Sequence, residues 1–200
     1  MDNNREPGTL VVKIGTVTLA DAHGNIDLEF LKDFVAQLAR QHNAGRRVVV
    51  VTSGAVRTGV ERLGLRHDAP FSVSDKQAAA AVGQGLLMER YAALFKEHGM
   101  IAAQVLLTRD IINFRQKYLN ARNTLIRLME LGVVPIVNEN DTVAVDEIKF
   151  GDNDALSALT AMLVEADLLV LLSDVVGLYF RDTHGHADAR FFPEVQEVNA

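Results

Sequence analysis

An α/β fold, a mainly parallel sheet sandwiched by helices, is predicted by three features of this sequence. Short β-branched runs alternate with longer segments of helical periodicity, the pattern of strands joined by crossover helices. One run, RVVVVT at 47–52, is almost wholly apolar, as a central strand buried on both faces requires. Four of the five strand-like runs end in polar or glycine-rich residues. In an open α/β sheet such ends line one carboxyl rim, where ligands collect.

The elements follow in order. Thr9–Ile14 reads as the first strand, and residues 27–42 as an amphipathic helix. After the strand at 47–52, Ala55–Leu63 and residues 75–98 have helical spacing. Ile101–Leu107 is the next strand, residues 119–131 a helix and residues 133–137 a fourth strand. Residues 143–150 alternate like a small hairpin, 155–166 are helical, and Leu168–Leu172 is the fifth strand. Residues 64–73 and 183–190 read as exposed loops. There is no internal repeat or low-complexity tract.

Composition narrows the function. At 200 residues and 48% hydrophobic content, the chain can bury one sizeable core. The formal net charge of -6 argues against a general nucleic-acid or anionic-membrane surface. Small anionic substrates need only a few local cations and stay open. Without cysteine there is no disulfide, thiolate metal site or cysteine nucleophile. Residues 1–8 contain no apolar run, so they predict a short N-terminal tail rather than a signal peptide. No stretch reaches the roughly 20 apolar residues that span a bilayer, and the expected location is the cytoplasm.

The strand ends carry the chemistry. Lys13 lies inside an apolar strand and is followed by Gly15 and Thr16. A lysine there is costly unless it reaches a partner or an anion, and glycine lets backbone N–H groups approach a phosphate. The alternative is a strand-end lysine that snorkels to water. Ser53 and Gly54 follow a buried strand and open a helix, which is either an anion site or an ordinary serine N-cap. Gly83 and Gly85 flank Gln84 without the third glycine of a dinucleotide motif, and predict close helix packing. No GxxxxGK[ST] loop is present, so neither a P-loop nucleotidase nor a dinucleotide enzyme is supported.

The densest polar cluster runs from Asn138 through Glu139, Asn140 and Asp141 to Glu147, Lys149, Gly151, Asp152, Asn153 and Asp154. Capping and the helix dipole account for acids at 152–154. They do not account for the apolar helix that follows, whose burial would carry Asp154 into a cleft needing a cation such as Lys13 or Lys149. His184 and His186 lack nearby acids in a ligand pattern and read as a solvated loop. Arg115, Lys117, Arg122 and Arg127 read as a solvated helix face.

Taken together, several segments resemble the glutamate 5-kinases, a branch of the amino-acid kinase family, in order and spacing. They are Val12 to Thr16, Val51 to Val56, Ala81 to Gln84, Leu107-Thr108, Tyr118 to Arg122, Asn138 to Asp141, Glu147 to Asp154, and Leu171 to Asp174 with Gly177-Leu178-Tyr179. The segments 138–141 and 147–154 are specific to that branch. The resemblance implies a carbamate-kinase-like fold over residues 9–200, lacking the C-terminal nucleotide-binding portion, where family members carry a glycine-rich loop and a second catalytic lysine.

The implied reaction is ATP-dependent phosphorylation of the γ-carboxylate of L-glutamate, the first step of proline biosynthesis. In that reading Lys13, Lys149 and Asp154 are catalytic. Ser53, Gly54, Asp141 and Asn153 hold glutamate. Lys13, Gly15, Thr16, Ser173 and Asp174 meet the nucleotide. Mg2+ arrives with ATP, and no protein metal site is implied. The resemblance also implies a homo-oligomer and feedback inhibition by proline. Val17, where many members carry a hydroxyl residue, and the loop 181–190 depart from the pattern. Two alternatives stay open: an inactive or regulatory module binding glutamate or proline, and the kinase half of a bifunctional pyrroline-5-carboxylate synthase.

Overall fold

The computed structural model describes residues 8–21, 25–65, 71–144, 153–174, 178–180 and 190–195. The chain order is β1 (Thr9–Ile14), α1 (Leu28–Asn43), β2 (Arg47–Val51), α2 (Ala55–Leu63), α3 (Val73–Glu97) and β3 (Ile101–Leu107). A 3-10 turn (Arg109–Asn113) leads to α4 (Arg115–Glu130), β4 (Val133–Glu139), α5 (Asn153–Leu163) and β5 (Leu168–Leu172). Two three-residue strands, β6 (Leu178–Phe180) and β7 (Arg190–Phe192), pair antiparallel.

The five long strands form one parallel sheet in the order β3-β4-β2-β1-β5. Side chains alternate across it, because successive Cβ atoms of a strand point to opposite faces. Leu10, Val12, Val48, Val50, Val134 and Ile136 face one way and pack with Leu31, Phe34, Val35 and Leu38 of α1 and Leu87, Tyr91 and Phe95 of α3. Val11, Val49, Val51 and Val137 face the other way, against Leu125 and Met129 of α4 and Leu156, Leu159 and Leu163 of α5. Fully burying each such aliphatic or aromatic side chain is worth roughly 1.5–3 kcal/mol. These two layers fix both helix pairs to the sheet and so fix what stands at its carboxyl rim.

Helix boundaries follow local chemistry. Asp27 caps α1, its side chain accepting from the Phe30 N–H at 2.9 Å. α3 begins at Val73, two residues before the apolar periodicity suggests, because Ser72 and Asp75 form a reciprocal capping box. α4 begins at Arg115 rather than 119. Its polar first turn is held instead by Lys117, which pairs with Asp110 at 3.0 Å and stands over the Phe114 ring. β4 runs on to Glu139, so Asn138 and Glu139 belong to the strand and not to a loop after it.

Helices α2 and α3 pack against each other through glycines. A Cβ on Gly83 would lie 1.8 Å from the Ala55 carbonyl oxygen, and one on Gly59 would lie 1.7 Å from that of Ala79. Gly83 therefore has the close-packing role its motif predicts. Gly85 does not: a Cβ there meets nothing within 4 Å. The β6–β7 pair was not anticipated from the sequence. The expected hairpin at 143–150, apart from the turn residues 143 and 144, and most of the loop at 183–190 lie outside the described residues.

Candidate functional site

Lys13 occupies the fifth position of β1, in register with Val51 of β2 and Leu171 of β5. Its parity matches Val11, so it faces α5. It is 5% exposed, and its Nζ lies 2.6 Å from Oδ1 of Asp154, in the first turn of α5. The ammonium folds back over Gly15, whose added Cβ would be 3.2 Å from Nζ. Lys13 therefore does not snorkel to solvent. It is a buried cation with a half-exposed acid for a partner, as a strand lysine needs.

The Gly15 N–H is not free for a ligand. It donates to the Leu172 carbonyl at 3.3 Å and prolongs the β1–β5 ladder. Thr16 starts the turn after it. Ser173 and Asp174 follow β5, both exposed, with the Ser173 hydroxyl 3.3 Å from Oδ1 of Asp174. β1 and β5 are neighbours, so these four residues share one stretch of the rim.

The next stretch is built on β2 and α2. Gly54, with φ of 98°, is the N-cap of α2, a left-handed conformation that suits glycine. Ser53 makes no capping bond. Its hydroxyl instead accepts from Nδ2 of Asn153, the first residue of α5, at 2.8 Å. The same Nδ2 lies 2.6 Å from the Thr52 carbonyl and 2.9 Å from Oδ1 of Asn138, so its two hydrogens are shared among three acceptors. The Thr52 carbonyl can only accept, so the amide orientation of Asn153 is fixed: its nitrogen is spent on protein and its oxygen faces away. Ser53, used as an acceptor, keeps its hydroxyl proton to donate. The rim thus offers an acceptor at Asn153 and a donor at Ser53, side by side.

Asp141 lies in the turn that follows β4, half-buried, and burial pushes its carboxyl up to about 6. Glu139 is also raised, first by burial and then by the nearby Asp141, with the Arg109 guanidinium opposing the shift. Two partly desolvated carboxylates side by side favour a cationic ligand group. Among the described residues, Asp141 hydrogen-bonds to no other predicted site residue. Lys149 lies outside the described residues, as do Glu147, Gly151 and Asp152.

Sequence reasoning missed the second layer. Nδ2 of Asn138 donates to Oε1 of Gln84 at 2.8 Å, and Nε2 of Gln84 donates to Oε1 of Gln104 at 3.1 Å. Tyr91 OH meets the Thr52 hydroxyl at 2.9 Å. The available signal was a polar side chain at a position whose periodicity calls for burial: Gln84 within the small, apolar AAAAVG-Q-G stretch, and Asn138 on the same strand face as Val134 and Ile136.

A parallel sheet between helix layers, with a buried lysine, a paired aspartate and amide and hydroxyl groups along one carboxyl rim, defines the class to which this chain belongs. Residues 8–200 match the family described as Amino acid kinase family, and the chain is a member of it. Its similarity to curated relatives is closer still. It is 53% identical to the glutamate 5-kinase of Carboxydothermus hydrogenoformans over 191 residues, covering 95% of this chain and 51% of that protein. It is 56% identical to the glutamate 5-kinase of Gloeobacter violaceus over 191 residues, covering 95% of this chain and 52% of that one. The chain therefore spans about half the length of these relatives. Solved structures share the fold at lower identity. An isopentenyl phosphate kinase of T. acidophilum, solved as a product complex, has a TM-score of 0.57 at 22% identity, over 90% of this chain and 76% of that one. A carbamate kinase from Giardia has a TM-score of 0.56 at 15% identity, over 87% and 75%.

Proposed function

We propose that this chain carries the carboxylate-binding and phosphoryl-positioning part of an ATP-dependent glutamate 5-kinase, which makes γ-glutamyl phosphate for proline synthesis. A γ-carboxylate oxygen of L-glutamate attacks the terminal phosphorus of ATP as the bond to the β–γ bridging oxygen breaks. The products are the acyl phosphate and ADP. No proton moves, so the protein need only align two anions and offset their charge.

The observation that carries this reading is the Lys13–Asp154 pair at 2.6 Å, held at the rim that also bears Ser53 and Asn153. Asp154 orients the Lys13 ammonium toward the phosphoryl group in flight, and the resemblance to the glutamate 5-kinases gives Lys149 the role of a second cation. The Asn153 oxygen and the Asp141 carboxylate, both acceptors, take the substrate ammonium. The Ser53 hydroxyl and the backbone at Gly54 take a carboxylate. Gly15, Thr16, Ser173 and Asp174 border the nucleotide; Gly15 does so by leaving room for Lys13, since its own N–H is already engaged. Mg2+ carried in with ATP would supply neutralisation of the phosphate charge.

The test is ADP release by the full-length protein in the presence of ATP. It should depend on L-glutamate, exceed the rate with aspartate, N-acetylglutamate, carbamate or UMP, and fall about a hundred- to thousandfold in Lys13→Ala. Preference for another acceptor would refute the substrate assignment. Glutamate binding without ADP release would refute catalysis.

A further inference from the structure

The amide side chains of Asn153, Asn138, Gln84 and Gln104 form one chain of hydrogen bonds with a single direction. Asn153 donates to Asn138 at 2.9 Å, Asn138 to Gln84 at 2.8 Å, and Gln84 to Gln104 at 3.1 Å. Two backbone groups fix that direction. The Thr52 carbonyl, 2.6 Å from Nδ2 of Asn153, must accept. The Glu139 N–H, 2.9 Å from Oδ1 of Asn138, must donate. With Asn153 and Asn138 so oriented, Nδ2 of Asn138 has to find an acceptor inside the α3 layer, and Oε1 of Gln84 is that acceptor.

The two middle members are buried, Asn138 at 2% exposure and Gln84 at 8%. The strand faces explain the meeting. Asn138 shares the parity of Val134 and Ile136, and Gln104 that of Ala102, so both look toward α3. A buried amide left without its partner costs far more than the bond itself contributes. Asn138 would turn to recover one, and Oδ1 would then leave Asn153.

We propose that Gln84 is a positioning residue for the substrate site: it locks the Asn138 amide, which shares with the Thr52 carbonyl and Ser53 the task of holding the Asn153 side chain, and so places its oxygen toward the substrate ammonium. The kinetic consequence rests on the glutamate-kinase reading; the orientation of Asn153 does not. Gln84 touches no reacting atom and lies a full side chain away from the rim. Its effect falls on glutamate binding and leaves the phosphoryl step alone.

The test uses the full-length protein with Gln84→Met and Gln84→Glu. Methionine keeps the volume and removes both hydrogen bonds. Glutamate keeps an acceptor for Asn138, and the exposed Gln104 can turn its own amide to donate to it. Gln84→Met should raise the glutamate KM about tenfold, with kcat changed less than about threefold and the ATP KM unchanged. Gln84→Glu should restore the glutamate KM to within about threefold of the parent. A folded Gln84→Met with a glutamate KM within about twofold of the parent overturns the proposal, and so does a Gln84→Glu as defective as Gln84→Met. If methionine prevents folding, Gln84→Asn takes its place, since its amide is polar but one methylene too short to reach Asn138. The side-chain NH2 resonances of Asn153, followed with isotope-labelled asparagine and no substrate, should move in Gln84→Met and stay in place in Gln84→Glu. Resonances unmoved in both refute the role. A parent protein with no glutamate-dependent turnover refutes the kinase reading, and the resonances still decide the role of Gln84.

Discussion

Lys13 and Asn138 reach different layers because of strand parity alone. One stands on the α5 face of the sheet and the other on the α3 face, yet both lie at the carboxyl rim, and α5 begins where it can serve both. Asn153 reaches Asn138 and Ser53, while Asp154, the next residue, reaches Lys13. Asp141 adds a dependence on pH. Its carboxyl is pushed up to about 6 by burial, so near neutrality it is mostly ionised and fit to hold an ammonium. Protonation below about 6 removes that charge. In the full-length protein the glutamate KM should therefore rise as pH falls through about 6, approaching tenfold per unit. In Asp141→Asn it should be high and nearly flat over the same range. The effect on stability has the opposite sense. A carboxyl raised on folding favours the native state fully below its ordinary value near 3.8, and that contribution is lost as pH rises through about 6. Asp141→Asn should accordingly melt no lower than the parent at alkaline pH.

At the scale of elements, the α2–α3 contact sets where Ser53 and Gly54 stand. Gly83 lies against the first turn of α2, 1.8 Å in Cβ terms from the Ala55 carbonyl and 2.5 Å from the Gly59 nitrogen. Backbone cannot yield as a side-chain tip can, so Gly83→Ala must part the helices. It should destabilise the protein by about 1–3 kcal/mol in denaturant titration and weaken glutamate binding by displacing the Ser53 hydroxyl. Gly85→Ala, with open space around its Cβ, should do neither. Most of this level was legible in the sequence. The strands showed themselves as apolar runs and the helices by their periodicity, because two-sided burial demands those patterns. The errors fell where a polar interaction sets the boundary, at the Ser72–Asp75 box and the Lys117–Asp110 pair. Ser53 read as a possible cap because serine often is one; nothing local reveals that a residue 100 positions on takes its hydroxyl. The Gln84–Asn138 contact was hidden for the same reason, since it joins a helix to a strand 54 residues away.

For the molecule as a whole, topology brings the first and fifth strands together. β1 lies between β2 and β5, so the first strand and the fifth share a ladder although the run from Thr9 to Leu172 separates them. The net charge of -6 does not conflict with the proposed function, because a cation fixed at the rim, as Lys13 is, acts locally and need not be matched by a basic surface. Membership in the amino-acid kinase family fits that arrangement, and glutamate as the acceptor belongs to the proposed function. Under the proposed function a glutamate γ-carboxylate becomes an acyl phosphate beside Lys13. Trapping with hydroxylamine tests it most directly, since an acyl phosphate released by the full-length protein is converted to a stable hydroxamate. Glutamyl γ-hydroxamate should form in step with ADP, and should be lost in Lys13→Met under conditions where that variant stays folded. ADP formed without hydroxamate, or hydroxamate formed equally well by Lys13→Met, would contradict it.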